Sequence, residues 1–272
     1  MSHEPAQTQE QLIAKALELA LALANWAVVR TRASKVSMTT TKSSPADYVT
    51  DIDLSVERWV RQTILTNFPD HGFVGEEFGS TPKAPLVWYC DPIDGTTNFS
   101  TGLPWHSFSL ALVDHEGTLV GVVSDPRTQE VFHAVRGRGA YLNGVPLHVN
   151  ARNGLAGAVV MTEWLACSPW SGMFATLERL GQAFVTTRIM GSSTLSLTGL
   201  AAGRGQGCII GKFGAVDLLA GVLICAEAGL DVRDEANEPT MFPESGGVMV
   251  ANPGLADALF EMWRPEVAAD AQ

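Results

Sequence analysis

Residues 86–98, Leu-Val-Trp-Tyr-Cys-Asp-Pro-Ile-Asp-Gly-Thr-Thr-Asn, place two carboxylates at the end of a run of strand-forming residues. Because Pro92 stands between Asp91 and Asp94, we expect the chain to bend there rather than to continue as a strand. Gly95 permits a close backbone approach, and the Thr-Thr-Asn that follows offers hydroxyl and N–H groups as at a helix start. Oxygen ligands beside an anion-binding turn suit Mg²⁺ and a phosphate in one site. The commoner interpretation of such a segment alone is an Asx turn with a helix cap, so the rest of the chain must decide.

The composition favours a globular protein that does not bind nucleic acid. The chain has 272 residues, enough for a large core in one domain or two coupled halves. It carries 18 Lys and Arg against 29 Asp and Glu, a formal net charge of −11. Phosphate backbones need clustered cations, so this balance disfavours nucleic acid as a partner. An anionic small substrate would need a local cation, which a bound metal ion could supply.

Cysteine spacing and hydropathy indicate a cytoplasmic protein without a membrane anchor. The chain has four cysteines without paired spacing, so neither a zinc site nor a disulfide framework is expected: Cys90, Cys167, Cys208 and Cys225. Free thiols in a reducing compartment are the default. The one membrane-like stretch, from Leu12 to Val29, is interrupted by charged and polar residues and lacks signal-peptide features. We therefore predict a soluble amphipathic helix there.

Periodicity predicts two helices and then an antiparallel meander in the first half of the chain. The second helix follows the Thr50–Asp53 segment and stops before Pro69. The polar segment 31–45 between the helices is expected to be an exposed, mobile connection. Strands are predicted at 72–75, 107–113, 118–124 and 130–135. Asn143-Gly144 is the strongest hairpin signal, because this pair fits a type I′ turn.

The second half alternates strands with helices. Strands are predicted at 157–162, 184–189, 207–210, 230–233 and 248–251, and helices at 170–180, 193–202 and 216–228, with a last one ending at Met262. The change of pattern near Asn150 suggests two layered subdomains within one compact unit, spanning residues 1–150 and 151–272.

Acidic residues collect at the ends of predicted elements, namely Asp51 and Asp53, Glu76 and Glu77, Asp91 and Asp94, and Asp217. Acids that only confer solubility should fall on exposed helix faces or loop tips. Taken alone, Asp217 fits a structural role, as a helix N-cap or a first-turn acid stabilised by the helix dipole, as well as it fits a functional one. Together, however, these acids predict a pocket that would be costly to assemble unless cations fill it.

Several segments, in this order along the chain, carry a family resemblance. They are Asp47-Tyr48-Val49-Thr50-Asp51-Ile52-Asp53, Val74-Gly75-Glu76-Glu77, Asp91-Pro92-Ile93-Asp94-Gly95-Thr96-Thr97-Asn98-Phe99, Gly191-Ser192-Ser193, Asp217 and Glu227-Ala228-Gly229. They resemble the inositol monophosphatase family of metal-dependent, lithium-sensitive sugar phosphatases over nearly the whole chain. The resemblance implies an α+β fold, a layered α-β-α-β-α sandwich with a mostly antiparallel N-terminal sheet and a second, smaller mixed sheet. It also implies a homodimer.

The resemblance implies a role for each matching residue. Glu76, Asp91 and the Ile93 carbonyl would hold one Mg²⁺; Asp91, Asp94 and Asp217 would hold a second; and Glu76 would serve a third, weaker ion. Asp53 would orient Thr96, whose hydroxyl would position the attacking water together with Glu76. The N–H groups of Gly95 and Thr96 would receive the phosphate. The other substrate contacts would come from Asp94, Gly191, Ser193 and Asp217.

The chemistry agrees with this division of roles. Two divalent ions roughly 3.5–4 Å apart can neutralise phosphoryl oxygens, acidify a water and stabilise the leaving alkoxide. A bridging carboxylate must hold them that close, and Asp91 is placed to do so. The expected activity is Mg²⁺-dependent hydrolysis of a small phosphorylated metabolite, with inositol 1-phosphate or a related sugar or polyol phosphate as substrate.

The substrate side departs from the family pattern. The family's inositol-contacting glutamate corresponds to Ile210, and the Trp that many members have before the second-metal Asp corresponds to Val216. An apolar Ile210 cannot accept hydrogen bonds from inositol hydroxyls. Histidinol phosphate, fructose 1,6-bisphosphate and 3′-phosphoadenosine phosphate remain alternative substrates. A non-catalytic regulator that binds metal and phosphate is the alternative from another class.

Overall fold

The computed structural model describes residues 4–34, 36–42, 45, 48–164, 168–243 and 246–263, with side chains described from residue 9 onward. The helices are α1 (Glu4–Ala33), α2 (Asp51–Asn67), α3 (Thr96–Thr101), α4 (Met173–Gln182), α5 (Ser193–Ala201), α6 (Ala215–Glu227) and α7 (Ala256–Trp263). The strands are β1 (Thr39–Thr41), β2 (Tyr48–Thr50), β3 (Gly72–Gly75), β4 (Gly79–Ser80), β5 (Val87–Asp94), β6 (Ser107–Asp114), β7 (Gly117–Asp125), β8 (Glu130–Val135), β9 (Ala140–Leu142), β10 (Val145–Leu147), β11 (Val159–Thr162), β12 (Thr186–Ile189), β13 (Gly207–Ile210), β14 (Asp231–Asp234) and β15 (Val248–Ala251).

Two main sheets form the framework. The larger has eight strands in the order β10-β9-β8-β7-β6-β5-β3-β4, and only its β3–β5 pair is parallel. The smaller has five strands in the order β12-β11-β13-β15-β14, with parallel β11–β12 and β11–β13 pairs and antiparallel β13–β15 and β14–β15 pairs. The predicted antiparallel and mixed sheets are both confirmed.

Helices cover the sheets in layers. Helices α1 and α2 bury their apolar faces on one side of the larger sheet. Helices α5 and α6 fill the space between the two sheets, and α4 and α7 cover the outer side of the smaller sheet. The order of layers is therefore α-β-α-β-α, as the resemblance implied. At one crossing of α6 over β7 the packing is very close, since a Cβ on Gly121 would lie 2.9 Å from the Ala220 carbonyl oxygen.

Helix α1 is the one described helix that is long and apolar enough to cross a membrane by length and composition, over Gln9–Ala33. Its inner face is built from small residues, and Ala16, Ala20 and Ala24 are fully buried against the larger sheet. Small side chains allow a helix to approach a sheet closely, so core packing accounts for this apolar face.

Local predictions held in some places and failed in others. Asn143 and Gly144 have φ values of 49° and 80°, which confirms the predicted hairpin turn. The connection predicted over 31–45 contains regular structure instead. Helix α1 continues to Ala33, and Thr39–Thr41 is a strand paired with Tyr48–Thr50. The side chains of Thr39–Thr41 are exposed, so no alternation of burial marked this strand in the sequence.

Candidate active site

Asp91 and Asp94 lie at the carboxyl end of β5, an inner strand of the larger sheet. The prediction that the strand ends in a bend at Pro92 is wrong. The strand extends through Asp94, and only its register against β6 shifts between the two aspartates. The irregularity fits a proline, which cannot donate to the strand ladder. Asp91 is 2% exposed, and its Oδ1 accepts a hydrogen bond from Ile93 N at 2.9 Å. Both carboxylates are therefore held at one buried strand end.

Gly95 makes the sharp turn from β5 into α3. Its φ of 88° lies in the left-handed region, and a Cβ there would stand 2.7 Å from the Gly191 carbonyl oxygen. Only glycine satisfies both conditions without displacing a neighbour. Thr96 begins the helix, so its N–H belongs to the first turn, which has no intrahelical acceptors. The Thr96 hydroxyl lies 2.9 Å from the Ile93 carbonyl oxygen and 3.2 Å from Asp53 Oδ1.

Asp53 reaches Thr96 from α2. Thr50 caps that helix in a capping box, in which Asp53 Oδ2 accepts from Thr50 N at 3.0 Å and from the Thr50 hydroxyl. The other oxygen of Asp53 is left to face Thr96. Burial raises the pKa of Asp53 to about 6, although the hydrogen bonds from Thr50 oppose that shift. The sequence-predicted pair of Asp53 and Thr96 is thus in contact. Asp47, at the start of the same motif, lies outside the described residues.

Glu76 and Glu77 follow β3 and meet a cation that the sequence did not point to. Lys42 Nζ lies 2.7 Å from Oε1 of each glutamate. The Glu76 side chain remains 29% exposed, whereas that of Glu77 is buried. Burial raises the pKa of Glu77 to about 7, and although burial acts the other way on Lys42, the two glutamates raise the Lys42 pKa. No motif marked Lys42, since it lies within a Ser- and Thr-rich segment.

The start of α5 encloses Asp94. Ser192 Oγ donates to Asp94 Oδ2 at 2.5 Å, while Thr194 donates to the same oxygen from its N–H at 2.8 Å and its hydroxyl at 2.6 Å. Ser193 N and Oγ lie 3.3 and 3.4 Å from Oδ1. The sequence analysis gave roles to Gly191 and Ser193, named Ser192 only as part of the same segment, and did not name Thr194. The Ser-Ser-Thr run before a helix was the signal, because Ser192 is the N-cap of α5.

Asp217 lies in the first turn of α6. Its Oδ2 accepts from Gly214 N at 3.0 Å, and Ser193 Oγ donates to its carbonyl oxygen at 3.1 Å. Burial raises the pKa of Asp217 to about 7, with added contributions from the charges of Asp94 and Glu76. The structural and the functional interpretation of Asp217 are therefore compatible. It is the capping-box acid of α6, and it also lies close enough to Asp94 and Glu76 for their charges to raise its pKa.

The four carboxylates act on one another electrostatically. Burial, followed by the charges of Glu76, Asp94 and Asp217, raises the pKa of Asp91 well above its usual range. Among the described residues no three His, Cys, Asp or Glu side chains stand in position to hold one metal ion. Glu76 instead pairs with Lys42. The donor set is nevertheless one of hard oxygens whose mutual repulsion a divalent cation would relieve, so its chemistry fits Mg²⁺.

Glu163, just after β11, is a further buried acid near this cluster that sequence reasoning missed. Its Oε2 accepts from Gly191 N at 2.6 Å, and its Oε1 accepts from Ser196 Oγ at 2.5 Å. Asn98 Nδ2 donates to the Met190 carbonyl oxygen of the same turn at 2.8 Å. These bonds fix the turn that leads into the donors around Asp94. A single acid at a strand end, without a partner in a motif, offered no signal for this role.

Glu163 gives the fold a measurable pH dependence. Burial raises its pKa from about 4.5 to about 7, so the native state binds this proton more tightly than the unfolded chain does. The stability it contributes is fully present below about pH 4.5 and is lost as pH rises through about 7. The free energy of unfolding of the wild type, minus that of Glu163→Gln, should therefore fall with pH across this range. The slope should not exceed about 1.4 kcal/mol per pH unit.

Urea unfolding in metal-free buffer at several pH values measures this difference. Glutamine keeps an acceptor for Gly191 and can donate to Ser196, and the contributions of the histidines cancel between the two proteins. A difference that stays constant from pH 4.5 to 7 would contradict the prediction.

Ile210, which stands where the family has an inositol-contacting glutamate, is the last residue of β13. Ile210 is 2% exposed and belongs to the core between the two sheets, while Lys212 two residues on is exposed. Val216 is partly buried in the first turn of α6. Gly191 is exposed beside Asn98, and its φ is 82°. Among the predicted substrate residues, Ser193 contacts both Asp94 and Asp217, and Gly95 lies against the Gly191 carbonyl, so these five residues lie together at the starts of α5 and α6.

Comparison with known proteins identifies the family of the chain. The model of the inositol monophosphatase family matches residues 8–267. The chain is 38% identical over 230 residues to a Pasteurella multocida protein named Nus factor SuhB, covering 83% of this chain and 86% of that protein. It is 37% identical over 224 residues to inositol-1-monophosphatase of Rhizobium meliloti, covering 80% and 83%. The solved structure of an IMPase from Thermotoga maritima superposes with a TM-score of 0.84 at 30% identity, covering 94% of this chain and 99% of that one. The chain belongs to the inositol monophosphatase family.

Proposed function

We propose that this protein is a Mg²⁺-dependent phosphatase that hydrolyses small phosphate monoesters, with inositol 1-phosphate as the first candidate substrate. The observation that carries the proposal is a cluster of four acids, in which the charges of Glu76 and Asp94, after burial, raise the pKa of Asp91 and of Asp217. Such a cluster is unfavourable without cations, and a phosphate substrate of an acidic protein needs them.

The residues available to hold metal are those implied by the resemblance. Glu76, Asp91 and the Ile93 carbonyl would hold one Mg²⁺, and Asp91, Asp94 and Asp217 would hold another, with Glu76 serving a third. Glu76 would have to leave Lys42 to do so, a rearrangement that its partial exposure permits. Bound Mg²⁺ would supply charge neutralisation, water acidification and leaving-group stabilisation.

The protein groups then orient the reactants. Asp53 accepts a hydrogen bond from the Thr96 hydroxyl, which leaves the Thr96 oxygen lone pairs directed away from Asp53 and able to accept a hydrogen bond from a water molecule. Glu76 would accept the second hydrogen bond of that water and orient it. The N–H groups of Gly95 and Thr96, at the start of α3, would receive the phosphate. Gly191, Ser193, Asp94 and Asp217 would contact the leaving group. Rate enhancement would come from positioning and neutralisation.

The identity of the leaving alcohol is the open part of the proposal. Ile210 offers no hydrogen bond where an inositol-binding glutamate would stand, so discrimination among sugar and polyol phosphates should be weak. Histidinol phosphate, fructose 1,6-bisphosphate and 3′-phosphoadenosine phosphate are the alternatives within the same chemistry.

A panel of phosphomonoesters, assayed for phosphate release by malachite green, tests the function. We expect release that requires Mg²⁺ and that LiCl inhibits, with inositol 1-phosphate among the substrates. No release from any member of the panel at saturating Mg²⁺ would contradict the proposal. Unchanged activity at high LiCl would contradict membership in the lithium-sensitive group.

A second candidate is a non-catalytic regulator that binds metal and phosphate. The observation that favours it is the name of the Pasteurella relative, Nus factor SuhB, which describes a factor and not an enzyme. The same panel separates the two candidates, because a pure binder would gain thermal stability from Mg²⁺ and phosphate without forming product.

We further propose a cytoplasmic homodimer that binds small metabolites and not nucleic acid. Its two subdomains, 1–150 and 151–272, would act as one unit. The acidic net charge supports the exclusion of nucleic acid, and the central helix layer shared by both sheets supports the single unit.

A further inference from the structure

Glu57 is a buried acid on α2 whose two oxygens bind one turn of the backbone. Its Oε2 accepts a hydrogen bond from Glu77 N at 2.7 Å, and its Oε1 accepts one from Phe78 N at 2.9 Å. The residue is 0% exposed. Hydrogen bonds to an ionised acceptor are stronger than neutral ones, so this pair ties the turn firmly to the helix. The turn held in this way spans residues 76–78 and begins with Glu76 itself.

The same carboxylate leaves no room for a side chain at Gly75, the residue that precedes Glu76. A Cβ on Gly75 would lie 1.9 Å from Glu57 Oε1. The φ of Gly75 is outside the left-handed region, so the backbone itself does not require glycine at this position. The reason for glycine is therefore the close approach of Glu57. Glu57 therefore constrains the backbone on both sides of Glu76, because it packs against Gly75 before Glu76 and accepts hydrogen bonds from the two N–H groups after it.

Glu57 does not have the free oxygens of a metal ligand. Both oxygens are engaged by N–H groups, and the side chain is enclosed beneath the turn. Its influence on the site must pass through the backbone. Glu57 also stands four residues after Asp53, so both buried acids lie on one face of α2. One helix face thus supports Thr96 through Asp53 and the turn at Glu76 through Glu57.

We propose that Glu57 is a positioning residue that fixes the direction in which Glu76 points into the acidic cluster, and that Gly75 is required because Glu57 occupies the space beside it. The inference rests on the proposed function, in which Glu76 holds Mg²⁺ and a water molecule. Groups that orient metal ligands typically change metal affinity by 10–100-fold when they are removed.

The test measures Mg²⁺ binding without turnover, as the Mg²⁺ concentration that gives half of the maximal thermal stabilisation. Glu57→Gln keeps the volume but replaces one acceptor with a donor that faces an N–H group. We expect it to raise that concentration by about tenfold or more. Gly75→Ala should raise it similarly. Val60→Ala, on the same helix and fully buried in the α1–α2 core, should lower the melting temperature yet leave the concentration within about twofold.

A double-mutant cycle tests whether the two positions act through each other. In a Glu57→Ala background the space beside residue 75 is free, so adding Gly75→Ala should change the Mg²⁺ concentration by less than about twofold. Independent, multiplicative effects would overturn the assigned link between Gly75 and Glu57. The phosphate-release rate at saturating Mg²⁺, measured in parallel, should fall more for Glu57→Gln than for Val60→Ala.

Glu76→Gln and the wild type serve as references. If Glu76→Gln weakens Mg²⁺ binding and Glu57→Gln does not, Glu57 does not position Glu76 and the inference is overturned while the proposed function stands. If the wild type itself shows no stabilisation by Mg²⁺, the metal role in the proposed function fails, and the inference fails with it.

Discussion

Asp91→Asn should reduce Mg²⁺-dependent phosphate release by about 10²–10³-fold or more, since removing even one preorganised hydrogen-bond donor from a reacting centre typically costs about 10²–10³-fold. Asp91 is the carboxylate whose proton affinity the other three acids raise, and it is the proposed bridge between two ions. Asparagine keeps an oxygen for the hydrogen bond from Ile93 N but cannot supply the bridging charge. Malachite-green assays at increasing Mg²⁺ measure the loss.

The same substitution should not unfold the protein. Because a buried, repelled carboxylate is replaced by a neutral amide, the melting temperature in EDTA should equal or exceed that of the wild type. Asp114→Asn is a matched control. Asp114 is the last residue of β6, whereas Asp94 lies beside the first residue of that strand, and Asp114 forms an ion pair with Arg136. It should retain activity. Turnover like that of the wild type by Asp91→Asn at saturating Mg²⁺ would contradict the metal assignment.

Thr96→Val should lower the turnover rate by about 10²–10³-fold while leaving Mg²⁺-induced stabilisation in place. Valine matches the shape of threonine but removes the hydroxyl that contacts Asp53 and the Ile93 carbonyl. Proton transfer and positioning by one side chain are typically worth 10²–10⁴-fold. Steady-state kinetics combined with thermal shift in Mg²⁺ would separate the loss of water orientation from a loss of metal.

Thr97→Val provides the control for this change. Thr97 is the next residue of the same helix turn, and it is exposed. The same removal of a hydroxyl there should leave the turnover rate within about twofold of the wild type, as expected of a surface substitution. Equal effects at both positions would contradict a specific role for the Thr96 hydroxyl.

Most of the layered fold could be predicted because its elements have strong periodicity. The strands at 207–210 and 248–251 and the Asn143-Gly144 turn are where the pattern placed them. The β1–β2 pair was missed because β1 is exposed throughout and each strand has only three residues, too few to show an alternation of burial in the sequence. The register shift at Pro92 was taken for a bend, since a proline alone cannot distinguish a strand that ends from one that skips a pair.

The candidate site likewise has residues that could be predicted from the sequence and residues that could not. The acids at the ends of elements could be named, because carboxylates at strand and helix termini have few structural uses other than capping. The groups that hold them could not, since Lys42 and Glu163 meet their partners only through tertiary contacts. Glu57 did leave a signal. It falls beside Val56 and Val60 on the apolar face of α2, where a charge requires an explanation.

The close packing of α6 on β7 has a consequence for the spacing of the acidic cluster. Asp217 belongs to α6, and Asp91 and Asp94 belong to the larger sheet, so the distance between Asp217 and the two strand aspartates depends on how far this helix lies from the sheet. Gly121 and Ala220 limit that distance at their point of contact. A methyl group added at Gly121 would force the two layers apart and so move Asp217 relative to Asp91 and Asp94, the proposed Mg²⁺ ligands.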